Sequence, residues 1–325
     1  MRADRMPLDR IMSAAAIPTS VNSHVLLAKS GKSSQRFRTA LSIGGISFAV
    51  SSDCGRDLKL DPTLVPFCTE NPAADIEIEV EWPETLASSM ERPQFDSGRT
   101  WRLFERQTEF QFDFFMPMLG DRPIRRLVVD RRFRRATLSM NGQFEDLCQM
   151  MTPLGYPLDE LLIMHRLTLE RAIELHGLGI VGPDGTNNLF IGHSGAGKST
   201  TARLWSSMLP VKILSDDRII VREHNSEMVM YGTPWHGDAC FALPESAPLH
   251  RIFILEHGKG NVISPLSRSQ AIAELFARAF VPFHGHEYVD SALNSLEHVA
   301  SSLPCYRYSF EPQPSAVDKI FHFRD

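Results

Sequence analysis

The chain has 325 residues, of which 43% are hydrophobic, and its 34 Lys and Arg against 39 Asp and Glu leave a net charge of −5. This composition is typical of a globular protein, and it argues against nucleic acid as a partner because there is no cationic excess to neutralise phosphates. The five cysteines are scattered with no C-x-x-C pair, which argues against a disulfide or zinc framework. No apolar run approaches the roughly 18 residues of a membrane helix, so we expect a cytoplasmic protein with no membrane partner.

Two segments precede the part of the chain that carries the motifs. Residues 1–37 are rich in Arg, Ser and Ala and lack the apolar core of a signal peptide, and we expect them to form a disordered extension. From residue 38 to about 150, apolar and polar residues alternate with period two, which predicts a β-rich N-terminal domain. The clearest alternation is at residues 75–82, and further strands are predicted at 101–104, 108–114, 125–129 and 133–140.

Helices and strands alternate in a second predicted domain, residues 151–325. An apolar stripe at helical spacing runs from Leu158 to Ile173 and predicts an amphipathic helix that ends near His176. The remaining predicted elements are strands 178–181 and 188–191, a helix to Met208, strand 211–215, a hairpin of 218–222 and 228–231, strand 251–256, and helices 269–280, 288–302 and 315–321. This order is typical of an α/β core that binds its ligand at the carboxyl ends of strands.

The most specific motif is Gly192-His193-Ser194-Gly195-Ala196-Gly197-Lys198-Ser199-Thr200, which fits the G-x-x-x-x-G-K-[ST] pattern of phosphate-binding loops. A predicted strand precedes it and a predicted helix follows, so successive amide groups and the positive end of the helix converge on one anion. We expect Lys198 to reach the β- and γ-phosphates of a nucleotide and the Ser199 hydroxyl to hold Mg²⁺. The predicted nucleotide-binding residues are Gly192, Ser194, Gly195, Ala196, Gly197, Lys198, Ser199 and Thr200.

Two adjacent carboxylates follow the loop at an interval that suits a metal site. Asp216 and Asp217 come directly after the predicted strand 211–215, seventeen and eighteen residues beyond Ser199. Adjacent residues at a strand end point to different sides, so one carboxylate can serve Mg²⁺ while the other takes the proton of an acceptor. Which aspartate has which role stays open, although Asp216 is the metal candidate together with Ser199. Lys198 and His176 are further catalytic candidates, although a lone histidine such as His176 is more often a packed or capping residue.

The combination of His176-Gly177, the loop 192–199 and Leu214-Ser215-Asp216-Asp217 resembles the catalytic domain of bacterial HPr kinase/phosphorylase and of the wider group related to phosphoenolpyruvate carboxykinases. The resemblance covers about residues 157–325 and implies an α/β P-loop kinase core of that type, with ATP and Mg²⁺ as cofactors. It implies that Lys198 and Ser199 bind the phosphates and the metal. It also implies that Asp216 and Asp217 supply the general base and metal contacts, with His176 tuning that acid pair.

The segment from Gly232 to Asp238 is similar to one found in divergent HPr-kinase-like proteins. Its two terminal glycines and polar interior suit a lid or an acceptor-binding loop, with His236 and Asp238 as candidate acceptor contacts, although a structural turn is the alternative. Farther on, His284-Gly285-His286-Glu287 has a spacing that permits a metal, but no third ligand is identifiable. A solvated loop is the preferred interpretation there.

The leading functional prediction is a kinase that transfers the γ-phosphoryl group of ATP to a serine-type hydroxyl on a peptide, protein or small molecule. HPr kinases generally carry Glu where this chain has Thr200, and no segment matches their phosphorolysis signature, which argues against HPr as the acceptor. Similar proteins include kinases that modify precursor peptides of lasso-type natural products and kinases that act on free serine. Carboxykinase chemistry on a carboxylic acid and a non-catalytic, nucleotide-gated regulatory module are the alternatives. Many members of the similar families form oligomers, so a homo-oligomer is one candidate for the assembly state of this chain.

Overall fold

The computed structural model describes residues 37–52, 59–70, 73–144 and 152–324, and two large sheets organise them. The predicted extension 1–37 therefore lies outside the described residues, except for Phe37. The front sheet consists of β1 (Phe37–Ile43), β2 (Ile46–Ser52), β3 (Ile76–Glu81), β4 (Phe95–Asp96), β5 (Trp101–Glu105), β6 (Glu109–Phe114), β7 (Arg125–Asp130) and β8 (Arg135–Met140).

The back sheet consists of β9 (Ala172–Val181), β10 (Asn187–Ile191), β11 (Lys212–Ser215), β12 (Arg218–His224), β13 (Glu227–Tyr231), β14 (Ser246–Pro248), β15 (Arg251–His257), β16 (Val262–Pro265), β17 (Ala279–Phe280) and β18 (Cys305–Phe310). The helices are α1 (Leu158–Leu167), α2 (Lys198–Met208), α3 (Arg268–Phe276), α4 (His286–Ser302) and α5 (Pro314–Phe321). None of the helices in the described residues is long and apolar enough to cross a membrane. The fold class is thus mixed α/β, built on two large sheets.

The front sheet has the strand order β1-β2-β3-β8-β7-β6-β5-β4 and is mostly antiparallel, with parallel pairs only where β3 meets β2 and β8 among the described strands. The predicted period-two alternation in β3 is confirmed, because Ile76, Ile78 and Val80 are buried and the glutamates between them are exposed. In β6 both faces are buried, and Asp113 lies 2.6 Å from the Arg126 guanidinium. A buried carboxylate of this kind requires such a partner.

The back sheet has a parallel centre formed by β10, β15 and β18, with β9 antiparallel to β10. Successive residues of β10 face opposite sides, so Leu189 and Ile191 belong to one hydrophobic cluster and Phe190 to another. Helices α3 and α4 cover the first of these faces, and α2 and α5 cover the second. The back sheet thus lies between two layers of helices, and the carboxyl ends of its parallel strands lie at one edge.

The two sheets share a hydrophobic core. Helix α1 packs in the core of the front sheet through Leu158, Leu161 and Leu162, among others. The same cluster takes in four buried residues that follow α1 in the chain: Ala172, Ile220, Trp235 and Tyr288. At the tip of the β1–β2 hairpin, the Gly44 carbonyl accepts a hydrogen bond of 3.2 Å from Arg222 of β12. The front sheet therefore packs directly on the back half.

Two predicted helices end earlier in the structure than the apolar pattern indicated. Helix α1 ends at Leu167, a turn follows in which Arg171 has a φ of 48°, and β9 begins at Ala172. His176 therefore lies within a strand, not at the end of a helix. The prediction was wrong because Ala172, Ile173 and Leu175 belong to a strand buried on both faces, whose apolar run imitates a continuing helical stripe. Likewise, residues 279–280 form β17, not the end of helix 269–280.

Candidate functional site

The phosphate-loop motif lies between the end of β10 at Ile191 and the start of α2 at Lys198, as the sequence predicts. Gly195 and Gly197 have φ values of 82° and 100°, a left-handed conformation that glycine adopts without strain. A Cβ on Gly192 would lie 2.6 Å from the Ala196 Cβ, so the loop also needs glycine there for close packing. Gly197 supplies no side-chain cap to α2, which leaves the first amide groups of the helix facing the loop.

The loop lies at the carboxyl ends of the parallel strands. At the end of β15, His257 Nε2 donates a hydrogen bond of 2.7 Å to the Gly195 carbonyl. At the end of β18, the Phe310 ring approaches Gly197 so closely that a Cβ there would lie 2.8 Å from the Phe310 Cζ. The sequence predicts a ligand site at the carboxyl ends of the strands, and the phosphate-loop motif lies at those ends.

The Lys198 side chain folds back over the loop. It is buried, and its Nζ donates to the Gly192 carbonyl at 2.9 Å and to the His193 carbonyl at 3.4 Å. Burial lowers the pKa of Lys198 to about 8, against the opposing effect of the Asp217 and Asp216 carboxylates. A lysine in this position is poised to exchange weak carbonyl partners for anionic oxygens.

The register of β9 brings His176 to the acid pair. The second half of β9 pairs with β11 and its first half pairs with β12, so the step between those two strands lies opposite His176-Gly177. The Gly177 amide donates to the Asp217 carbonyl at 2.9 Å, and His176 Nε2 lies 3.0 Å from Asp217 Oδ1. Residues forty positions apart in the chain are thereby neighbours.

Asp216 is buried and faces the phosphate loop. Its carboxylate accepts hydrogen bonds from the amides of Gly237, Ala239 and Phe241 at 2.9–3.2 Å. The Ser199 hydroxyl lies 3.4 Å from Asp216 Oδ2. The structure therefore brings together the hydroxyl and the carboxylate that the sequence paired.

Asp217 points to the other side, as expected for adjacent residues at a strand end. Besides His176, its carboxylate contacts the Arg218 guanidinium. Burial opposes ionisation of Asp217, but the hydrogen bond from His176 and the charge of Arg218 outweigh it and lower the pKa of this carboxyl. Its side chain keeps 22% of its surface exposed, so an ionised carboxylate is open to an incoming acceptor.

Arg218 and its acidic partners are parts of the site that the sequence reasoning missed. The guanidinium contacts Glu160 of α1, lies 3.5 Å from Glu174 of β9, and stacks on the Phe280 ring at 4.7 Å. Burial raises the pKa of Glu174 well above its ordinary value, and the neighbouring Glu160 raises it further, against the opposing charge of Arg218. These contacts fix Arg218 beside Asp217. The Ser-Asp-Asp-Arg sequence itself was the available signal.

Arg278 is the second missed residue. Its carbonyl accepts from the His176 amide at 2.8 Å, and its charge lies close enough to Lys198 to lower the pKa of that amine. One of its guanidinium nitrogens, Nη1, donates to Glu274 at 2.6 Å, while the buried Nε has no hydrogen-bond partner within the described residues. Arg278 was overlooked because the predicted helix 269–280 covered it.

The remaining predicted residues lie around this centre. The predicted nucleotide-binding residues Gly192, Ser194, Gly195, Ala196, Gly197, Lys198, Ser199 and Thr200 lie in the loop and the first turn of α2. His236 and Asp238 are exposed on the loop that wraps Asp216, where the Asp238 carbonyl accepts from Arg203 at 3.1 Å. Their role toward an acceptor stays a prediction.

The segment 284–287 is only partly the solvated loop that the sequence suggested. His284 packs against the front core, with its Nε2 2.7 Å from Nε2 of the buried His165. His286, in contrast, is almost fully exposed.

The donor set at the loop fits Mg²⁺ with a bound polyphosphate. Among the described residues, no group of three or more His, Cys, Asp or Glu side chains is placed to hold a metal ion alone. Mg²⁺ commonly takes one or two protein oxygens and completes its shell with phosphate oxygens and water. The Ser199 hydroxyl and the Asp216 carboxylate match that requirement.

Comparison with known proteins adds little to this geometry. No family model matches the chain, and no curated protein matches it. Among solved structures, the HPr(Ser) kinase/phosphatase from Coxiella burnetii is similar, with a TM-score of 0.28 and 12% sequence identity. That match covers 46% of this chain and 93% of the other. The function is therefore inferred from the site's own residues.

Proposed function

We propose that the protein is an ATP- and Mg²⁺-dependent kinase that transfers the γ-phosphoryl group to a serine-type hydroxyl on a peptide, protein or small molecule. The observation that carries the proposal is the placement of two unlike carboxylates at one anion-binding loop. Asp216 faces the Ser199 hydroxyl at 3.4 Å, and Asp217 faces outward, ionised and paired with His176. Phosphoryl transfer needs this division between a metal side and an acceptor side.

On the metal side, the chain's own groups bind and orient the polyphosphate. The amides at the start of α2 and the Lys198 ammonium group bind the phosphate oxygens. Ser199 and Asp216 would hold Mg²⁺, which when bound neutralises charge on the β- and γ-phosphates. The three amides that hold Asp216 keep its carboxylate directed at Ser199.

On the acceptor side, Asp217 is assigned as the general base. The hydroxyl of the acceptor gives its proton to Asp217 as its oxygen bonds to the γ-phosphorus, and the bond to the β-phosphate oxygen breaks to release ADP. His176 and Arg218 orient the Asp217 carboxylate and keep it ionised. Arg278, whose charge acts on Lys198 and whose buried Nε has no hydrogen-bond partner among the described residues, would stabilise charge on the transferred group.

The decisive experiment measures transfer of radiolabelled γ-phosphate to a panel of serine-containing peptides, free serine and an HPr-type protein. The double variant Asp216→Asn/Asp217→Asn is expected to keep ATP binding without Mg²⁺ largely intact and to lose transfer. Unchanged turnover in that variant would overturn the base assignment. Tight ATP binding by the wild type with no product on any acceptor would support the non-catalytic regulatory module instead.

The single variants separate the two carboxylate roles. We expect Asp217→Asn to lower kcat by about 10²–10⁴-fold, as loss of a general base does, with little change in the Mg²⁺ requirement. Asp216→Asn is expected to raise the half-saturating Mg²⁺ concentration. Asp290→Asn on the exposed face of α4 is the matched control and should behave as the wild type. The opposite pattern for the two single variants would exchange the roles.

A further inference from the structure

The loop that holds Asp216, residues 232–241, is held in turn by the front half of the molecule. We call it the Asp216 loop. Its amides at Gly237, Ala239 and Phe241 donate to the Asp216 carboxylate. A Cβ on Gly237 would lie 2.8 Å from Asp216 Oδ2, so the backbone lies directly against the carboxylate. Any displacement of this loop therefore displaces the Asp216 oxygens relative to Ser199.

Trp235 connects the Asp216 loop to the front sheet. Its side chain is 7% exposed and belongs to the hydrophobic cluster of the front sheet and α1. Its indole Nε1 donates a hydrogen bond of 3.2 Å to Asp159 Oδ2 in the first turn of α1. Asp159 is itself buried, and its second oxygen accepts from the Glu160 amide at 2.9 Å. The indole of Trp235 is thus hydrogen-bonded to a buried carboxylate of α1.

The backbone of Trp235 connects the same residue to the strand that carries the acid pair. Its carbonyl accepts from the Ser215 hydroxyl at 3.1 Å and from the Thr233 hydroxyl at 3.4 Å. Ser215 is the last residue of β11 and immediately precedes Asp216. The Thr233 hydroxyl also lies 2.8 Å from the Arg218 carbonyl. Trp235 therefore joins the front core to Ser215 directly and, through the Thr233 hydroxyl, to Arg218 on the other side of the acid pair.

We propose that Trp235 is a positioning residue through which the front sheet and α1 hold the Asp216 carboxylate in register with the phosphate loop. The inference rests on the proposed function, since Asp216 is assigned there to the metal side. It gives the front sheet a part in the chemistry, beyond the binding of a separate partner. Outer partners of metal ligands generally influence affinity in this way, by fixing ligand orientation.

Three variants test the connection without touching the site itself. Trp235→Phe removes the indole N–H and keeps an aromatic ring in the core, while Asp159→Leu removes the acceptor and keeps the indole. Asp159→Asn retains an acceptor oxygen at the same position. Trp101→Phe is the matched control, because Trp101 also packs on the front core but its ring stacks on Phe95 of β4, at 4.8 Å.

Two measurements are made on each full-length variant. Hydrogen–deuterium exchange of the unliganded protein reports on the amides of Gly237, Ala239 and Phe241. Titration of ATP binding with and without Mg²⁺ reports on the metal side. In Trp235→Phe and Asp159→Leu, we expect the amides of the Asp216 loop to exchange faster than in the wild type. We also expect these variants to need about 10-fold more Mg²⁺ to reach half of the gain in ATP affinity that Mg²⁺ provides. Asp159→Asn and Trp101→Phe should match the wild type.

The outcomes distinguish this inference from the proposed function. The inference about Trp235 would be overturned if both Trp235→Phe and Asp159→Leu showed the wild-type rate of amide exchange and the wild-type Mg²⁺ requirement. It would also be overturned if amides of the Asp216 loop exchanged faster while the Mg²⁺ requirement stayed unchanged. If Trp235→Phe does not fold, the Asp159→Leu and Asp159→Asn pair decides. A wild-type protein that binds no ATP, or binds it without regard to Mg²⁺, would instead contradict the proposed function. In that case the inference falls with it.

Discussion

Lys198 carries the residue-scale consequence that is easiest to measure. In the unliganded site, burial lowers its pKa to about 8, while the Asp217 and Asp216 carboxylates act in the opposite direction. Its Nζ bonds to two loop carbonyls, so binding of a polyphosphate replaces neutral oxygens by charged ones. Added negative charge next to an amine raises its pKa. Binding above pH 8 must therefore take up a proton.

We expect nucleotide affinity to fall as the pH rises through about 8. The unliganded Lys198 loses its proton there and the bound form keeps it, so the Kd should increase by up to about 10-fold per pH unit above the lower pKa. Calorimetry between pH 7 and 9.5, in buffers of different ionisation enthalpy, measures both the Kd and the proton uptake. Lys198→Met is the control and should bind weakly with no such step. A wild-type Kd that is constant across this range would contradict the prediction.

At the scale of elements, the strand–loop–helix unit depends on two glycines in different surroundings. Gly195 and Gly197 both have positive φ, but a Cβ on Gly195 would meet nothing within 4 Å, whereas one on Gly197 would meet the Phe310 ring at 2.8 Å. Phe310 is buried at the end of β18. The loop is thus packed against the sheet on the Gly197 side and open on the Gly195 side.

The two alanine variants separate backbone strain from this contact. In each variant the free energy of unfolding falls by about 1–2 kcal/mol, because a side chain is placed on a residue with left-handed backbone conformation. Gly197→Ala adds an overpacking cost of about 1–3 kcal/mol from the clash with Phe310. Denaturant unfolding should therefore rank Gly197→Ala below Gly195→Ala in the free energy of unfolding. Equal values would show that the Phe310 ring yields to the added methyl group.

At the scale of the whole molecule, the front and back sheets are joined by packing as well as by the chain. The tip of the β1–β2 hairpin lies on β12, where a Cβ on Gly44 would clash with the Ile220 Cδ1. Arg222 next to it bonds to the Gly44 carbonyl and to Glu170. Because Ile220 is also part of the front core, this contact is continuous with the shared cluster.

We expect Gly44→Ala to weaken the joint between the sheets. Gly98→Ala is the matched control, since Gly98 also has a positive φ but a Cβ there meets nothing within 4 Å. The difference between the two variants removes the backbone cost and leaves the clash with Ile220, about 1–3 kcal/mol. Unfolding followed by tryptophan fluorescence and by far-UV circular dichroism should show a single shifted transition. Separate transitions for the two probes would show that the molecule does not unfold in one cooperative step.

Local sequence was enough to predict the parts of this protein whose contacts are short-range. The phosphate loop is contiguous, so its spacing alone predicts the strand before it, the glycines within it and the helix after it. The alternation in β3 likewise predicts a strand, because period-two burial is a property of neighbouring residues. The prediction failed between Leu167 and His176, where a strand buried on both faces carries no alternation to distinguish it from a helix.

Contacts between distant residues were decided only by the tertiary structure. His176 meets Asp217 because β9 changes partner from β12 to β11 at that point. Alternation of apolar and polar residues is what specifies strand register, and β9 has none because both of its faces are buried. Arg218 meets Glu160, and Trp235 meets Asp159, across 58 and 76 positions of the chain. Each depends on how α1 packs between the two sheets. The residue types that perform the chemistry can thus be read locally, whereas their orientation depends on packing of the whole molecule.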